Sequence, residues 1–321
     1  MAISILLFVV GLGVLVFGAE IMVRGSAFLA KKLGVSALAI GLTVVAFGTS
    51  MPELAVNLFS AFKGTADIAI GNVVGSNIAN ILLILGISAL IMPLAVKQST
   101  VWKEIPFALL AMILVFIIGN DRIFDGREYE IMSRTDGLLM ISLFIIFMYY
   151  IWGMARRENA PAEEDGSVKI YSIPISLLLA GAGVGALFFG GKLLVDNAMD
   201  IARLAGLSET LIGLTIVAVG TSLPELATSV VAAIHRQHDL VVGNIVGSNI
   251  FNIFWILGLT STIMPLPFNN QVNIDVGFGI LATLLLFIFM FIGQRHKLVR
   301  WQGAIFVILY AGYIVYLVFR G

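Results

Sequence analysis

Glu53 and Glu225 each stand near the middle of a long apolar stretch, with no Lys or Arg nearby within it. A carboxylate at the centre of a bilayer costs about 2.5–3.5 kcal/mol on insertion scales and more in simulations, so two of them call for compensating charge. A bound cation supplies it. The competing reading is a protonated glutamate bridging two helices by hydrogen bonds. The neighbouring residues favour the cation. Ala46, Thr49, Ser50, Glu53 and Asn57 recur at helical spacing on one face, as do Ala218, Thr221, Ser222, Glu225 and Ser229. Pro52 has no N–H and crowds the carbonyl of Gly48, and Pro224 does the same to Gly220, so each helix must open there. The carbonyls from Ala46 to Thr49 and from Ala218 to Thr221 are then expected to lose their donors, and unwound carbonyls ligate cations well. One proline alone reads as a plain kink; a matched pair beside two glutamates does not.

A second polar stripe follows in each half. Asn72, Ser76 and Asn80 fall four residues apart, matched by Asn244, Ser248 and Asn252. For Asn72 and Asn244, polar bridging between packed helices competes evenly with ion contact. Ser76, Asn80, Ser248 and Asn252 are read as ligands or lining. Gly71 with Gly75, and Gly243 with Gly247, form G-x-x-x-G pairs that permit close helix approach. The donor set is all oxygen, which suits hard cations such as Ca²⁺ and Na⁺, whereas softer metals recruit His or Cys. The chain has no cysteine, and His235, His238 and His296 fall in loops, where solvation is expected. Glu20 with Arg24 and Lys192 with Asp196 are i,i+4 pairs that neutralise each other. Asp67 and Asp239 read as helix N-caps. The acidic stretch from Asp121 to Asp136 reads as a solvated turn.

These residues need elements to carry them. Of 321 residues, 60% are hydrophobic and 12% charged, more apolar surface than a soluble core hides. Net charge is zero, which gives no footing for nucleic acid. Ten apolar stretches, approximately 3–30, 36–62, 68–93, 104–119, 136–153, 172–200, 208–234, 240–265, 274–293 and 300–319, are long enough for helices and lack the alternation of barrel strands. Residues 1–10 have no basic leader and read as the start of the first span. Residues 42–86 and 214–258 align without a gap at a constant offset (225 − 53 = 172), with 25 of 45 positions identical. Five spans separate equivalent points, an odd number, so the second copy enters the membrane from the other side. Inverted repeats of this kind mark secondary transporters, which bind substrate near the midplane where the repeats meet.

The expected fold is therefore an all-α polytopic membrane protein of ten transmembrane helices in two inverted five-helix repeats, 1–153 and 172–321, joined by a linker at 154–171. Eleven loop Lys and Arg on one side against six on the other put that linker in the cytoplasm and both termini outside.

The motifs GTSMPEL at 48–54 with GNVVGSNIAN at 71–80, and GTSLPEL at 220–226 with GNIVGSNIFN at 243–252, resemble the two alpha repeats of the sodium/calcium exchanger group in the cation/calcium antiporter superfamily. The resemblance spans nearly the whole chain. It implies ten helices with the N-terminus outside, and alternating access in which the first and sixth helices slide across a core. It also implies that Glu53 and Glu225 bind both Ca²⁺ and Na⁺ with help from Thr49 and Thr221. Ser50, Ser76, Ser222, Ser248, Ala46 and Ala218 complete flanking Na⁺ sites by the same analogy, and Asn80 and Asn252 line the centre. Many relatives carry one Asp at these last two positions; this chain has Asn at both, which argues against potassium co-transport. The 72–80 segment contains no acid, unlike the equivalent helix of proton/calcium exchangers, which favours Na⁺ coupling. The expectation is a Na⁺/Ca²⁺ antiporter of the plasma (inner) membrane that exports Ca²⁺, holds no resident cofactor and needs no more than one copy of the chain for transport, its partners being Ca²⁺, Na⁺ and the lipid bilayer. A proton-coupled exchanger and a cation channel are the rivals. An intramembrane enzyme ranks last, because no His or Lys base lies at membrane depth.

Overall fold

The structure, a computed structural model, describes residues 2–157, 172–204 and 218–320. Its long helices are α1 (Ala2–Leu33), α2 (Ala37–Thr49), α3 (Met51–Phe62), α4 (Ala66–Ile91), α5 (Gln98–Gly119), α6 (Arg134–Arg157), α7 (Ile173–Leu204), α8 (Leu223–Ile234), α9 (His238–Ile263), α10 (Val272–Phe289) and α11 (Arg300–Arg320). Among the described residues eight helices are long and apolar enough to cross a membrane, and α2 with α3, bent by 45°, makes a ninth. The expected span at 208–234 is described only from Ala218, where a short turn (Ala218–Gly220) precedes α8. Most of the expected linker, 158–171, lies outside the described residues, while α6 continues through Arg157 into its first positions.

α4 and α9 form the centre: 72% and 94% of their apolar windows are buried, against 28% for α1, α7 and α11. Outward-facing Phe17, Phe189, Ile145, Tyr149 and Phe319 are exposed, a surface that hydrocarbon accepts and water does not. α1 and α7 pack along each other antiparallel. Gly11 lies against Leu194, Gly18 against Leu187 and Gly25 against Ala180, and a Cβ added at Gly18 would meet the Leu187 nitrogen at 2.8 Å. Packing at that separation excludes any side chain.

The two halves are interleaved. α6 packs on the C-terminal end of α9, where a Cβ at Gly137 would meet the Gly258 carbonyl at 2.6 Å; α11 packs on the end of α4, where one at Gly303 would meet the Gly86 carbonyl at 2.7 Å. Short antiparallel strands stitch the ends. β1 (Leu94–Ala95) pairs with β4 (Lys297–Leu298), and β2 (Ile131–Met132) pairs with β3 (Leu266–Pro267). Because α5 lies between β1 and β2, these two sheets sit at opposite ends of the molecule.

Three readings of the loops are corrected. Asp67 and Asp239 lie inside first turns whose caps are Thr65 and Gln237, and Asp239 instead pairs with Lys97 at 3.0 Å. The stretch from Asp121 to Asp136 is folded: Asp121 is buried, accepts the Ile131 N–H at 2.9 Å and pairs with Arg127 at 3.1 Å, and Asp136 caps α6 by accepting the Ser133 N–H at 2.7 Å. His235 is exposed beyond the helix end, as expected, and also bridges to Glu20 at 2.9 Å, whereas His238 is no loop residue: it opens α9, its Nδ1 accepting the Ala95 N–H at 3.4 Å. Glu20 with Arg24 and Lys192 with Asp196 pair as expected, at 2.6 and 2.8 Å.

Candidate functional site

The break that aims the glutamates falls at Ser50 and Ser222, two residues before each proline. Their backbones leave helical geometry in the same way, at φ −83°, ψ 8° and φ −87°, ψ 6°. Each proline then sits in the first turn of the next helix, where its missing N–H costs little. The proline argument is corrected in both halves: the Ala46 carbonyl keeps a donor, the Ser50 N–H at 3.0 Å, and the Val219 carbonyl keeps the Ser222 N–H at 3.1 Å. Additional opening comes from elsewhere. α2 widens into a π-helical turn at Gly41–Val45, α4 at Asn80–Leu85 and α9 at Phe251–Leu257, so Asn80 and Asn252 both lie in the widened turns, a feature frequent at functional sites.

Glu53 and Glu225 are fully buried. Glu53 Oε1 accepts from Ser76 Oγ at 3.5 Å; Glu225 Oε1 accepts from Ser50 Oγ at 3.0 Å and from Ser248 Oγ at 3.5 Å. Ser222 Oγ donates to Ser76 Oγ at 3.3 Å. Thr49 donates to Asn244 Oδ1 at 3.1 Å, and Thr221 to Asn72 Oδ1 at 3.3 Å. Several of these bonds cross from one half to the other, and they gather the glutamates, both threonines and all four serines of the motifs. Ala46 is buried beside them, its carbonyl also 3.4 Å from Thr49 Oγ1; Ala218 opens the short turn before Ser222.

Four oxygens at this centre have no partner among the described residues: Glu53 Oε2, Glu225 Oε2, Asn80 Oδ1 and Asn252 Oδ1, all in residues at most 1% exposed. A buried, unpaired acceptor costs about 1–3 kcal/mol, and more if charged. Four together, with no Lys, Arg or His against either glutamate among the described residues, make an electronegative pocket. Such a pocket fits a hard cation, which needs only acceptors and brings the missing charge. Asn72 and Asn244 are of a different kind. Their amides are spent on bridges, Asn72 Nδ2 to Asn57 Oδ1 at 2.9 Å and Asn244 Nδ2 to Ser229 Oγ at 3.0 Å. Gly243 and Gly247 lie against Leu38, Gly41 and Leu42 of α2, whereas no described atom comes within 4 Å of a Cβ added at Gly71 or Gly75. A cavity of about 300 Å³, lined among the described residues by Asn72, Ser76, Thr221, Asp275, Tyr313 and Arg320, leads to this centre from one end of α10 and α11.

Sequence reasoning passed over four further buried groups. Glu104 accepts from the Tyr150 hydroxyl, and Asp275 is held by Arg320 at 3.0 Å and by Tyr313 at 3.0 Å. Asn77 and Asn249, one in each G-S-N triplet, are the other two. The signal for them was their placement three residues before Asn80 and Asn252 in both copies of the repeat.

The chain matches the family described as Sodium/calcium exchanger protein over residues 3–153 and 175–319. It is 32% identical over 306 residues to the sodium/calcium exchanger MaX1 of Methanosarcina acetivorans, covering 84% of this chain and 85% of that one. It is 36% identical over 228 residues to the inner membrane protein YrbG of Escherichia coli, covering 68% and 66%. The fold superposes on the sodium-calcium exchanger NCX_Mj, soaked with Na⁺ in the absence of Ca²⁺, with a TM-score of 0.83, 36% identity, and coverage of 98% and 99%.

Proposed function

Because this chain belongs to the sodium/calcium exchanger family, we propose that it is a secondary antiporter exchanging Na⁺ for Ca²⁺ by alternating access at one shared site. The observation that carries this reading is the set of four unpartnered oxygens, two carboxylate and two carboxamide, drawn equally from the two halves. Glu53 and Glu225 neutralise one Ca²⁺ or two Na⁺. The Asn80 and Asn252 oxygens, with the hydroxyls of Thr49 and Thr221, complete a shell that Ca²⁺ fills with about 6–8 oxygens. Ser50, Ser76, Ser222 and Ser248, with the carbonyls of Ala46 and Ala218, hold the flanking Na⁺. The ions are cargo, and each biases the access equilibrium by binding one state better than the other.

The architecture that serves this is ten transmembrane helices in two inverted repeats, 1–153 and 172–321. The antiparallel packing of α1 against α7, the first helix of each repeat, supports it, as do the end-stitching strands. With the 154–171 linker cytoplasmic, the protein sits in the plasma membrane, one copy suffices for transport, and the inward Na⁺ gradient drives Ca²⁺ export. Exchange of three Na⁺ for one Ca²⁺ moves one net charge per cycle, so the membrane potential drives it by about 2.3 kcal/mol per 100 mV.

Purified protein in proteoliposomes tests the proposal. A Na⁺ gradient, outward from the vesicle, is expected to drive Ca²⁺ uptake, and an imposed potential to change its rate. Uptake indifferent to Na⁺ but driven by a pH step transfers the chain to proton/calcium exchange. Ca²⁺ flux that runs down its own gradient without any counter-ion, as single-channel current, rejects antiport altogether.

A further inference from the structure

The orientation of the two central carboxamides has a specific cause. Asn77 Nδ2 donates to the backbone carbonyl of Asn249 at 3.1 Å, and Asn249 Nδ2 donates to the backbone carbonyl of Asn77 at 3.3 Å. A carbonyl only accepts, so each of these bonds fixes which end of the amide is nitrogen. With its nitrogen committed, each amide turns its oxygen to the next asparagine of the other half. Asn252 Nδ2 donates to Asn77 Oδ1 at 3.0 Å, and Asn80 Nδ2 donates to Asn249 Oδ1 at 2.9 Å. Every member of this quartet is at most 2% exposed. What is left over at its end is a pair of oxygens, Asn80 Oδ1 and Asn252 Oδ1, with no partner among the described residues.

Resting on the cation site argued above, we propose that Asn77 and Asn249 are positioning residues, each clamping the central asparagine of the opposite half so that its oxygen faces the cation. An asparagine terminal torsion is broad and nearly two-fold, so a carboxamide left to itself turns either end inward. A nitrogen turned inward presents N–H hydrogens to a cation, which repels it. The polarity of the site therefore originates in two backbone carbonyls whose direction cannot reverse, and passes through Asn77 and Asn249 to the ion. Asn77 Nδ2 also lies 3.8 Å from Met112 Sδ, which engages the same amide nitrogen. Because each clamp spans the two halves, the centre of the site holds its polarity only while α4 and α9 stay in register.

A double-mutant cycle read by equilibrium Ca²⁺ binding, with the apparent KM for Ca²⁺ measured alongside, tests the clamp. Asn77→Ala and Asn249→Ala are each expected to weaken Ca²⁺ binding by about tenfold, the scale for partners that orient metal ligands. The pattern of coupling separates orientation from general packing. Asn77→Ala is expected to add nothing in an Asn252→Ala background but to multiply its effect with Asn80→Ala; Asn249→Ala is expected to show the reverse. Equal, multiplicative losses in both backgrounds overturn the clamp and leave only packing. So does native affinity in the Asn77→Ala and Asn249→Ala proteins. If either alanine variant fails to yield folded protein, Asn77→Ser and Asn249→Ser, too short to span the same gap, replace them in the same cycle. Loss of binding in Glu53→Gln with native binding in both clamp variants refutes the clamp alone, whereas native binding in Glu53→Gln and Glu225→Gln refutes the cation site itself.

Discussion

At the scale of single residues, the chemistry lies in what Glu53 and Glu225 lack. Each has one oxygen engaged by serine and the other without a partner among the described residues, in a fully buried side chain. Charge in such a site destabilises the protein until a cation arrives, which makes function and stability pull in opposite directions. Glu53→Gln and Glu225→Gln are therefore expected to cut Ca²⁺ transport by at least about a hundredfold, the loss anticipated when a direct ligand goes. The same variants are expected to unfold no earlier than the native protein without Ca²⁺, and to lose the rise in unfolding temperature that Ca²⁺ gives the native chain. Isotope uptake and thermal unfolding in detergent check the two halves of that statement. The glutamates, serines and threonines were legible in the sequence because ionisable and polar residues in an apolar stretch are conspicuous. Asn77 and Asn249 were not, because nothing local distinguishes an asparagine that orients another from one that merely bridges helices.

Among the elements, the decisive feature is the close packing of α9 against α2. Gly247 has Leu42 Cα at 2.9 Å and Ala46 Cβ at 2.9 Å from where a Cβ would stand, so backbone rather than a yielding side chain blocks it. Gly247→Val is expected to destabilise by at least about 1–3 kcal/mol, the cost of overpacking, and to lower the unfolding temperature in detergent. Gly312, on the exposed face of α11 with nothing described within 4 Å, supplies the contrast. Gly312→Ala is expected to be neutral or stabilising by up to about 1 kcal/mol from helix propensity. The G-x-x-x-G spacing announced a close approach that Gly243 and Gly247 make, but not its partner, and among the described residues Gly71 and Gly75 make none. Likewise the prolines announced a break in the helix, yet its position at Ser50 and the widened turns at Asn80 and Phe251 depend on how neighbouring helices pull on the backbone.

For the whole molecule, the antiparallel pair α1 and α7 lies across a core built on α4 and α9, and a polar contact ties α1 to the turn after α8. Glu20 of α1 meets His235, just beyond α8, at 2.9 Å. If access alternates by sliding of α1 and α7, a covalent bridge at that link stops it. The chain has no cysteine, so a Glu20→Cys, His235→Cys protein treated with a short thiol-to-thiol cross-linker carries one defined tether. Transport is expected to cease on cross-linking and to persist in the untreated variant. Undiminished uptake by the linked protein rules out motion between these two elements.

By itself the sequence determined that the chain is helical and membrane-embedded and that it contains a duplicated motif, and it singled out two glutamates with their hydroxyl neighbours as the candidate site. Those conclusions depend on periodicity, hydropathy and the cost of charge in oil, all of which act along the chain or at single positions. Only the tertiary structure decided which half serves which glutamate: Ser50 reaches Glu225, Thr49 reaches Asn244, and Asn77 holds Asn252. It also left one carboxylate and one carboxamide oxygen of each half without a partner among the described residues. Partners so far apart in sequence are chosen by the packing of interleaved helices, and that packing is a property of all the contacts at once.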